Sequence, residues 1–175
     1  MHGGLPHEDH TRVISATQSL TAPRMGWGPP LLDYLLARHR RKDPVMEIGS
    51  PAPAFELPDK DKNLVSLDSF KGSKTLIVFI PFPFTGICDG ESCELRDNLT
   101  VLSGLDANVV VITVHASPLI KKWVDEYGFT FPVLSDYWPH GETTKAYGAF
   151  NDANGAALRY SFVLDADGIV REVIN

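Results

Sequence analysis

The stretch 75-TLIVFIPFPFTGICDGE-91 decides the fold, because it runs from a strand pattern straight into a helix pattern. Residues 75–80 form a continuous apolar run, which is typical of a strand buried on both faces of a sheet. Pro81 ends this strand, since proline cannot donate a ladder hydrogen bond. Thr85 is a good N-cap for the helix, whose pattern continues to about Leu105. The stretch therefore predicts a buried strand joined to a helix by a short proline-rich turn.

Strand and helix patterns alternate on both sides of this stretch. The other strand patterns lie at 54–57, 64–67, 108–114, 131–134, 160–165 and 169–173. The other helix patterns lie at 118–127, with Gly128 as the expected C-cap, and at 143–147. The last two strands are predicted to pair as a hairpin. Buried strands that alternate with helices and end in a hairpin predict an α/β fold, a thioredoxin-like three-layer sandwich with a mixed β-sheet.

The composition changes near residues 44–49. Residues 1–45 are irregular and rich in glycine and proline, with one short helix pattern at 31–39, and we interpret them as an N-terminal extension. Residues 46–175 carry the regular patterns and are predicted to form one domain. The extension has a net charge of +2 and the remainder −8. Such an acidic body argues against nucleic acid as a partner, because phosphate binding requires a basic face.

Localisation is inferred from features that the sequence lacks. No apolar run approaches the roughly 18 residues that span a bilayer, so no membrane association is predicted. The first residues, MHGGLPHEDH, lack the basic and apolar regions of a secretory signal. Together with only two cysteines in 175 residues, these features predict a cytoplasmic protein whose thiols are kept reduced.

Cys88 occupies the most reactive position in the sequence. It falls in the first turn of the predicted helix, shortly after Thr85. Unpaired N–H groups and the positive end of the helix dipole favour a thiolate over a thiol at such a position. A thiolate is the nucleophile that can attack a peroxide O–O bond, and the same N–H groups can hold the peroxide oxygens. The location therefore indicates a reactive cysteine.

The arrangement P-x-x-x-T-x-x-C, formed by Pro81, Thr85 and Cys88, resembles the site motif of the peroxiredoxin family. Glu91, three residues after the cysteine, and Arg159, just before a predicted strand, also match the family pattern. The segments PFPFTGICDGE, GFTFPVLSDYWPHG and AYGAFN resemble the AhpE-like subgroup of one-cysteine peroxiredoxins in particular. The resemblance covers the whole predicted domain and implies a thioredoxin-like fold with peroxidase activity.

The resemblance implies a role for each of these residues. Cys88 is expected to be the peroxidatic nucleophile, which passes to sulfenic acid, and Thr85 to hydrogen-bond the bound peroxide. Arg159 is expected to stabilise the thiolate and the charge on the departing oxygen. Glu91 is expected to orient this arginine, and Pro81 to shield the sulfur from water. The implied substrates are hydrogen peroxide and organic hydroperoxides.

The resemblance also bears on cofactors, partners and the end of the chain. It implies that no metal, flavin or haem is required, and the C-x4-C spacing is a poor one for zinc. It implies thioredoxin, another redoxin or a low-molecular-weight thiol as the reductant, and it allows a homodimer. Relatives continue with a C-terminal helix, so we expect this helix to be missing from a chain that stops at Asn175.

Cys93 departs from the one-cysteine pattern. Q-type peroxiredoxins, the bacterioferritin-comigratory group, often place a resolving cysteine at this separation from the nucleophile. In an intact helix, however, two residues five positions apart are rotated by about 140° about the helix axis and separated by about 7.5 Å along it. Their Cα atoms are then too far apart for a disulfide. Resolution by Cys93 therefore requires local unwinding, which Gly86 and Gly90 make easier. The alternative is that Cys93 packs as a small apolar side chain beside Leu95 and Leu99.

Two other functions fit parts of the pattern. A thioredoxin-like disulfide oxidoreductase requires C-x-x-C at the start of the helix, but Glu91 stands where the second cysteine is needed. A redox sensor or holdase would use Cys88 to report oxidation to a partner, which the motif alone allows. We therefore expect a thiol-dependent peroxidase and keep these two functions as alternatives.

Overall fold

The computed structural model describes residues 45–104 and 107–175, so the predicted N-terminal extension lies outside the described residues except for Val45. The strands are β1 Glu56–Pro58, β2 Leu64–Ser66, β3 Lys74–Phe79, β4 Ala107–Thr113, β5 Val133–Ser135, β6 Phe150–Asn151, β7 Ala156–Ala157, β8 Tyr160–Leu164 and β9 Val170–Ile174. The helices are α1 Gly86–Asp97, α2 Leu99–Gly104, α3 Ser117–Tyr127 and α4 Glu142–Ala146, with a 3-10 turn at Leu67–Phe70. In this part of the chain, no helix is both long and apolar enough to cross a membrane.

A five-stranded mixed sheet forms the centre of the fold, in the order β5-β4-β3-β8-β9. β3 pairs parallel to β4 and antiparallel to β8, and in the second pairing Phe79 lies opposite Tyr160. β4 pairs parallel to β5, and β8 and β9 form the antiparallel hairpin. The predicted α/β fold with a thioredoxin-like mixed sheet is therefore confirmed.

β3 is buried on both faces of the sheet. Its consecutive residues point to opposite sides, and each side has its own core cluster. Ile77 and Phe79 belong to one core cluster, which the 3-10 turn and β1 help to cover. Val78 belongs to the other, to which α1 contributes Cys88 and α3 contributes Trp123. The continuous apolar run that predicts a strand buried on both faces is explained by these two cores.

The long helix predicted to continue to Leu105 is interrupted at Asn98. The backbone N–H of Asn98 and its side-chain Nδ2 both donate to the carbonyl of Glu94, at 3.1 and 2.8 Å. An asparagine that satisfies a preceding carbonyl with its own side chain competes with helix continuation. α1 therefore ends at Asp97 and a separate helix, α2, begins at Leu99.

Asp136 holds the loop that follows β5 to the start of α4. Its carboxylate is fully buried and accepts hydrogen bonds from the Thr144 N–H at 2.7 Å, the Thr144 hydroxyl at 2.6 Å and the Thr143 N–H at 3.3 Å. Burial raises the pKa of Asp136 above its ordinary value, although the hydrogen bonds from Thr144 and Thr143 oppose this shift. The carboxylate takes the place of an N-cap side chain, which Gly141 cannot supply.

We expect Asp136→Ala to lower the free energy of unfolding by roughly 3 kcal/mol, because it leaves buried donors without an acceptor. Urea denaturation measures the change. Asp152→Ala, at an exposed position in the turn between β6 and β7, is the control and should change stability little. Equal stability of the two variants would contradict the role given to Asp136.

Candidate active site

The turn between β3 and α1 gives the site its shape. The Ile80 N–H still donates to the carbonyl of Ile112 at 3.1 Å, and half-buried Pro81 follows where the ladder ends. Phe84 then adopts a positive φ of 62°, a strained conformation for a residue with a bulky side chain. This reversal directs the chain into α1, which starts at Gly86.

Thr85 is the N-cap residue of α1, as predicted, but its side chain makes no capping hydrogen bond. Its hydroxyl instead donates to the carbonyl of Phe82 at 2.7 Å. A hydroxyl whose hydrogen is engaged in this way still offers its oxygen lone pairs to a donor. Thr85 is exposed, so a small molecule can reach this acceptor from solvent.

Cys88 lies in the first turn of α1 and its residue is fully buried. The Arg159 guanidinium approaches it: Nη2 donates to the Cys88 sulfur at 3.1 Å, and Nη1 donates to Glu91 Oε2 at 2.5 Å. Arg159 reaches this place because it precedes β8, whose first residue, Tyr160, is paired with the last residue of β3. The structure therefore brings together three residues that the sequence motif singles out.

Opposing effects of burial and of neighbouring groups act on the pKa of the Arg159 guanidinium. Burial alone lowers the pKa of this guanidinium, but hydrogen bonds and charge interactions with Cys88 and Glu91 offset burial and raise the pKa above its ordinary value. A fixed guanidinium that donates to sulfur and carboxylate at once is a charge-assisted arrangement. It can stabilise a thiolate and, later, negative charge on an oxygen atom at the same place.

Asp89 is a residue of this region that the sequence reasoning missed. Its two carboxylate oxygens accept hydrogen bonds from the Trp123 Nε1–H at 2.7 Å and from the Tyr127 hydroxyl at 2.9 Å. The bond to Asp89 is the main cause that raises the pKa of the Tyr127 hydroxyl. The only available signal was the spacing of Trp123 and Tyr127, one turn apart on α3, with polar tips on one side.

Cys93 lies on the same helix as Cys88, and both thiols are free. Cys93 is half-buried and packs at the margin of the core cluster of α1 and α3, together with Leu95 and Leu99. This is the packing expected for the alternative role, and the resolving role of Cys93 stays a prediction. Because α1 is unbroken from Gly86 to Asp97, residues 88 and 93 are held about 1.4 turns apart, as the sequence geometry implies.

Other ionisable groups near the site do not form a metal centre. Across residues 45–104 and 107–175, no group of three or more histidine, cysteine, aspartate or glutamate side chains is placed to hold a metal ion. His115 is half-buried, its Nδ1 lies 3.0 Å from the Thr113 hydroxyl, and its ring packs edge-on against Phe82. Burial lowers the pKa of His115, because it disfavours the charged form of the ring.

A thioredoxin-like fold with an arginine-held cysteine at the start of the active-site helix defines a class of thiol enzymes. Residues 48–173 match the model of the AhpC/TSA family. The chain belongs to this family, the peroxiredoxins. It is accordingly a thiol-dependent peroxidase, an oxidoreductase.

Individual relatives agree with this assignment. Over 128 residues the chain is 45% identical to alkyl hydroperoxide reductase E of Mycobacterium tuberculosis, covering 73% of this chain and 84% of the relative. It is 28% identical over 136 residues to peroxiredoxin Bcp of Escherichia coli, covering 74% and 86% of the two chains. The crystal structure of peroxidoxin BcpB from Mycobacterium tuberculosis superposes with a TM-score of 0.69 at 27% identity, covering 74% of this chain and 86% of that one. The predicted likeness to AhpE is thus confirmed.

Proposed function

We propose that the Cys88 thiolate reduces hydrogen peroxide and organic hydroperoxides at this site. The sulfur attacks one peroxide oxygen, the O–O bond breaks, and the departing oxygen leaves as water or an alcohol after taking up a proton. Cys88 is oxidised to sulfenic acid and the peroxide is reduced, with no metal, flavin or haem in the step. The relative named alkyl hydroperoxide reductase E supports organic hydroperoxides as substrates.

The observation that carries the proposal is the contact of Arg159 with both Cys88 and Glu91. The Nη2 group of Arg159 stabilises the thiolate before the attack, and it stabilises the charge on the departing oxygen during the attack. Glu91 fixes the orientation of the guanidinium, so that no reorganisation is needed as charge develops. The arginine is thus proposed to bind the reacting atoms, and the glutamate to position the arginine.

Thr85 and Pro81 complete the proposed site. Because the Thr85 hydroxyl already donates to the Phe82 carbonyl, it is set to accept a hydrogen bond from the peroxide O–H. This contact directs the peroxide toward the helix N-terminus, where backbone N–H groups favour negative charge. Pro81 lies half-buried at the end of β3 and limits the access of water to the sulfur.

We further propose that Cys93 resolves the sulfenic acid, as in Q-type peroxiredoxins. The Cys93 thiol attacks the Cys88 sulfur, a disulfide forms and water leaves. Cα atoms five apart in an intact helix are separated by roughly 8–9 Å, which exceeds the distance that a disulfide spans. The first turns of α1 must therefore unwind during the cycle. An external thiol, from thioredoxin, another redoxin or a small thiol, then reduces the disulfide.

Mass spectrometry after one equivalent of hydrogen peroxide tests both parts of this proposal. We expect a protein lighter than the dithiol by its two thiol hydrogens, with a peptide linkage between Cys88 and Cys93. In the matched control Cys93→Ser, we expect one added oxygen on Cys88. Oxidation that spares Cys88 would contradict the attack step. A persistent Cys88 sulfenic acid beside a free Cys93 thiol would contradict resolution only.

A cytoplasmic location and a homodimer are two further parts of the proposal. A reducing compartment fits an enzyme that depends on a thiol donor for each turnover. Leu119, Tyr137 and Trp138 are exposed, and the two aromatic residues line an apolar groove with Pro118. A second copy of the chain covers such a surface in a symmetric pair. Sedimentation velocity should give a dimer mass for the native chain and a monomer mass for Trp138→Glu.

A further inference from the structure

The burial of Cys88 sets a condition on every step that follows peroxide reduction. The residue has no measurable exposure, and its neighbours in the core cluster include Ile80 and Trp123. A peroxide brings only its two oxygen atoms to the sulfur, so it needs little room at the site. A protein thiol must instead bring its sulfur and carbon chain into line with the Cys88 sulfur. Reduction of the sulfenic acid therefore requires the start of α1 to open.

In the part of the chain that the structure describes, two sets of side-chain contacts fasten the first turns of α1 to the rest of the fold. One is formed by Arg159, which pairs with Glu91 and donates to the Cys88 sulfur, and it belongs to the proposed catalytic site. The other is the pair of hydrogen bonds from Trp123 and Tyr127 to Asp89, which lies outside it. Opening of α1 separates Asp89 from α3, so these two bonds must break in the process.

The two hydrogen bonds to Asp89 oppose such opening, because both donors are held in place. Trp123 is fully buried, so its indole N–H cannot hydrogen-bond to water when the Asp89 carboxylate moves away. The Tyr127 ring stacks on Phe129 at a centroid distance of 5.7 Å and an interplanar angle of 13°, which fixes the direction of its hydroxyl. Both donors are therefore held in place on α3, and hydrogen bonds to a charged acceptor are the stronger kind.

We propose that Asp89 is a positioning residue: its bonds to Trp123 and Tyr127 hold α1 closed, and their breaking admits the thiol that reduces the Cys88 sulfenic acid. The inference rests on the proposed function for the formation of that sulfenic acid, but not on Cys93 as the resolving residue. While α1 is closed, a second peroxide competes with the thiol. It oxidises the sulfenic acid to sulfinic acid and is itself reduced to water or an alcohol. The strength of the Asp89 contact therefore sets the balance between recycling and overoxidation.

The test uses the full chain in a Cys93→Ser background, so that Cys88 is its only thiol. Tyr127→Phe removes one hydrogen bond and keeps the ring and the Asp89 charge. Asp89→Ala removes both hydrogen bonds. Asp89→Asn removes the charge, but its amide can still accept from the Trp123 N–H and donate to the Tyr127 oxygen. Tyr147→Phe is the matched control, since it removes one buried tyrosine hydrogen bond, to the Pro53 carbonyl at 2.9 Å, in the opposite core.

Two rates are measured for each variant. The first is alkylation of reduced Cys88 by iodoacetamide, which reports opening of α1 and does not involve peroxide. The second is capture of the Cys88 sulfenic acid by thionitrobenzoate, a coloured aromatic thiol. We expect both rates to rise about five- to tenfold in Tyr127→Phe and further in Asp89→Ala. They should rise less in Asp89→Asn, which keeps both hydrogen bonds but loses their charge, and Tyr147→Phe should stay near the parent. The rate of reaction with hydrogen peroxide should stay within about twofold in Tyr127→Phe, because its contact is absent from the attack step.

Each outcome decides between the two proposals. Unchanged alkylation in Tyr127→Phe and Asp89→Ala would overturn the inference about Asp89, and so would an equal rise in Tyr147→Phe, which would indicate general loosening. Faster alkylation without faster capture would also overturn it, because opening would then not limit reduction. Faster alkylation with no sulfenic acid to capture in any variant would instead refute the proposed function.

Discussion

Cys88→Ser is expected to lose peroxidase activity by at least about a thousandfold. A serine hydroxyl is not ionised near neutral pH and lacks the polarisable sulfur that forms the S–O bond. The substitution is close to isosteric at this buried position, so the fold should be retained and circular dichroism should be unchanged. The measurement is the second-order rate constant for hydrogen peroxide, determined by competition with a peroxidase of known rate.

Cys93→Ser is the matched control for this variant, because it removes the other of the two cysteines by the same change. Its first reaction with peroxide should remain as fast as that of the native chain, although its turnover depends on an external thiol. Fast peroxide consumption that survives in Cys88→Ser and disappears in Cys93→Ser would reverse the assignment of the nucleophile.

Arg159→Ala should slow the reaction with peroxide by about a hundredfold to a thousandfold, the range found when one fixed donor to a developing charge is removed. Arg159→Lys should recover only part of this loss, to within roughly tenfold of the native rate. An ammonium keeps the positive charge but cannot donate in fixed directions to the Cys88 sulfur and to Glu91 together. Stopped-flow kinetics with hydrogen peroxide and with an organic hydroperoxide measure both variants.

A second arginine provides the control for this prediction. Arg171 pairs with Asp165 at the exposed β8–β9 hairpin, so Arg171→Ala removes the same type of side chain from an ion pair outside the site. We expect its peroxide rate to equal that of the native chain. Equal losses in Arg159→Ala and Arg171→Ala would indicate a general charge effect and would remove the specific role of Arg159.

Much of the fold follows from local patterns in the sequence. The apolar run of β3, the alternation of strands with helices and the left-handed Gly128 at the end of α3 are all local signals, and each predicted strand lies within two residues of the observed one. The β6–β7 ribbon was missed, since two-residue strands carry no periodicity. The break at Asn98 was missed as well, because it depends on where one side-chain amide points.

The site could be predicted only as far as its motif extends. The motif names Cys88, Glu91 and Arg159, and the sheet brings them together. It does not name the partners of Asp89, because Trp123 and Tyr127 are far along the chain and meet it only after α1 and α3 pack on the same face. Nor does it reveal the direction of the Thr85 hydroxyl, which follows from the reversed backbone at Phe84.

The pairing of Phe79 with Tyr160 has a consequence for how this chain can vary over evolution. Cys88 and Arg159 are 71 positions apart, yet their separation in space is set by two adjacent strands rather than by the intervening chain. Insertions in the exposed turn at 152–155 can therefore lengthen the chain between them without changing that separation. A slip of a single residue between β3 and β8, in contrast, would turn every side chain of one strand to the other face and displace the arginine. The length of the turn at 152–155 can therefore change during evolution, whereas the register between β3 and β8 cannot.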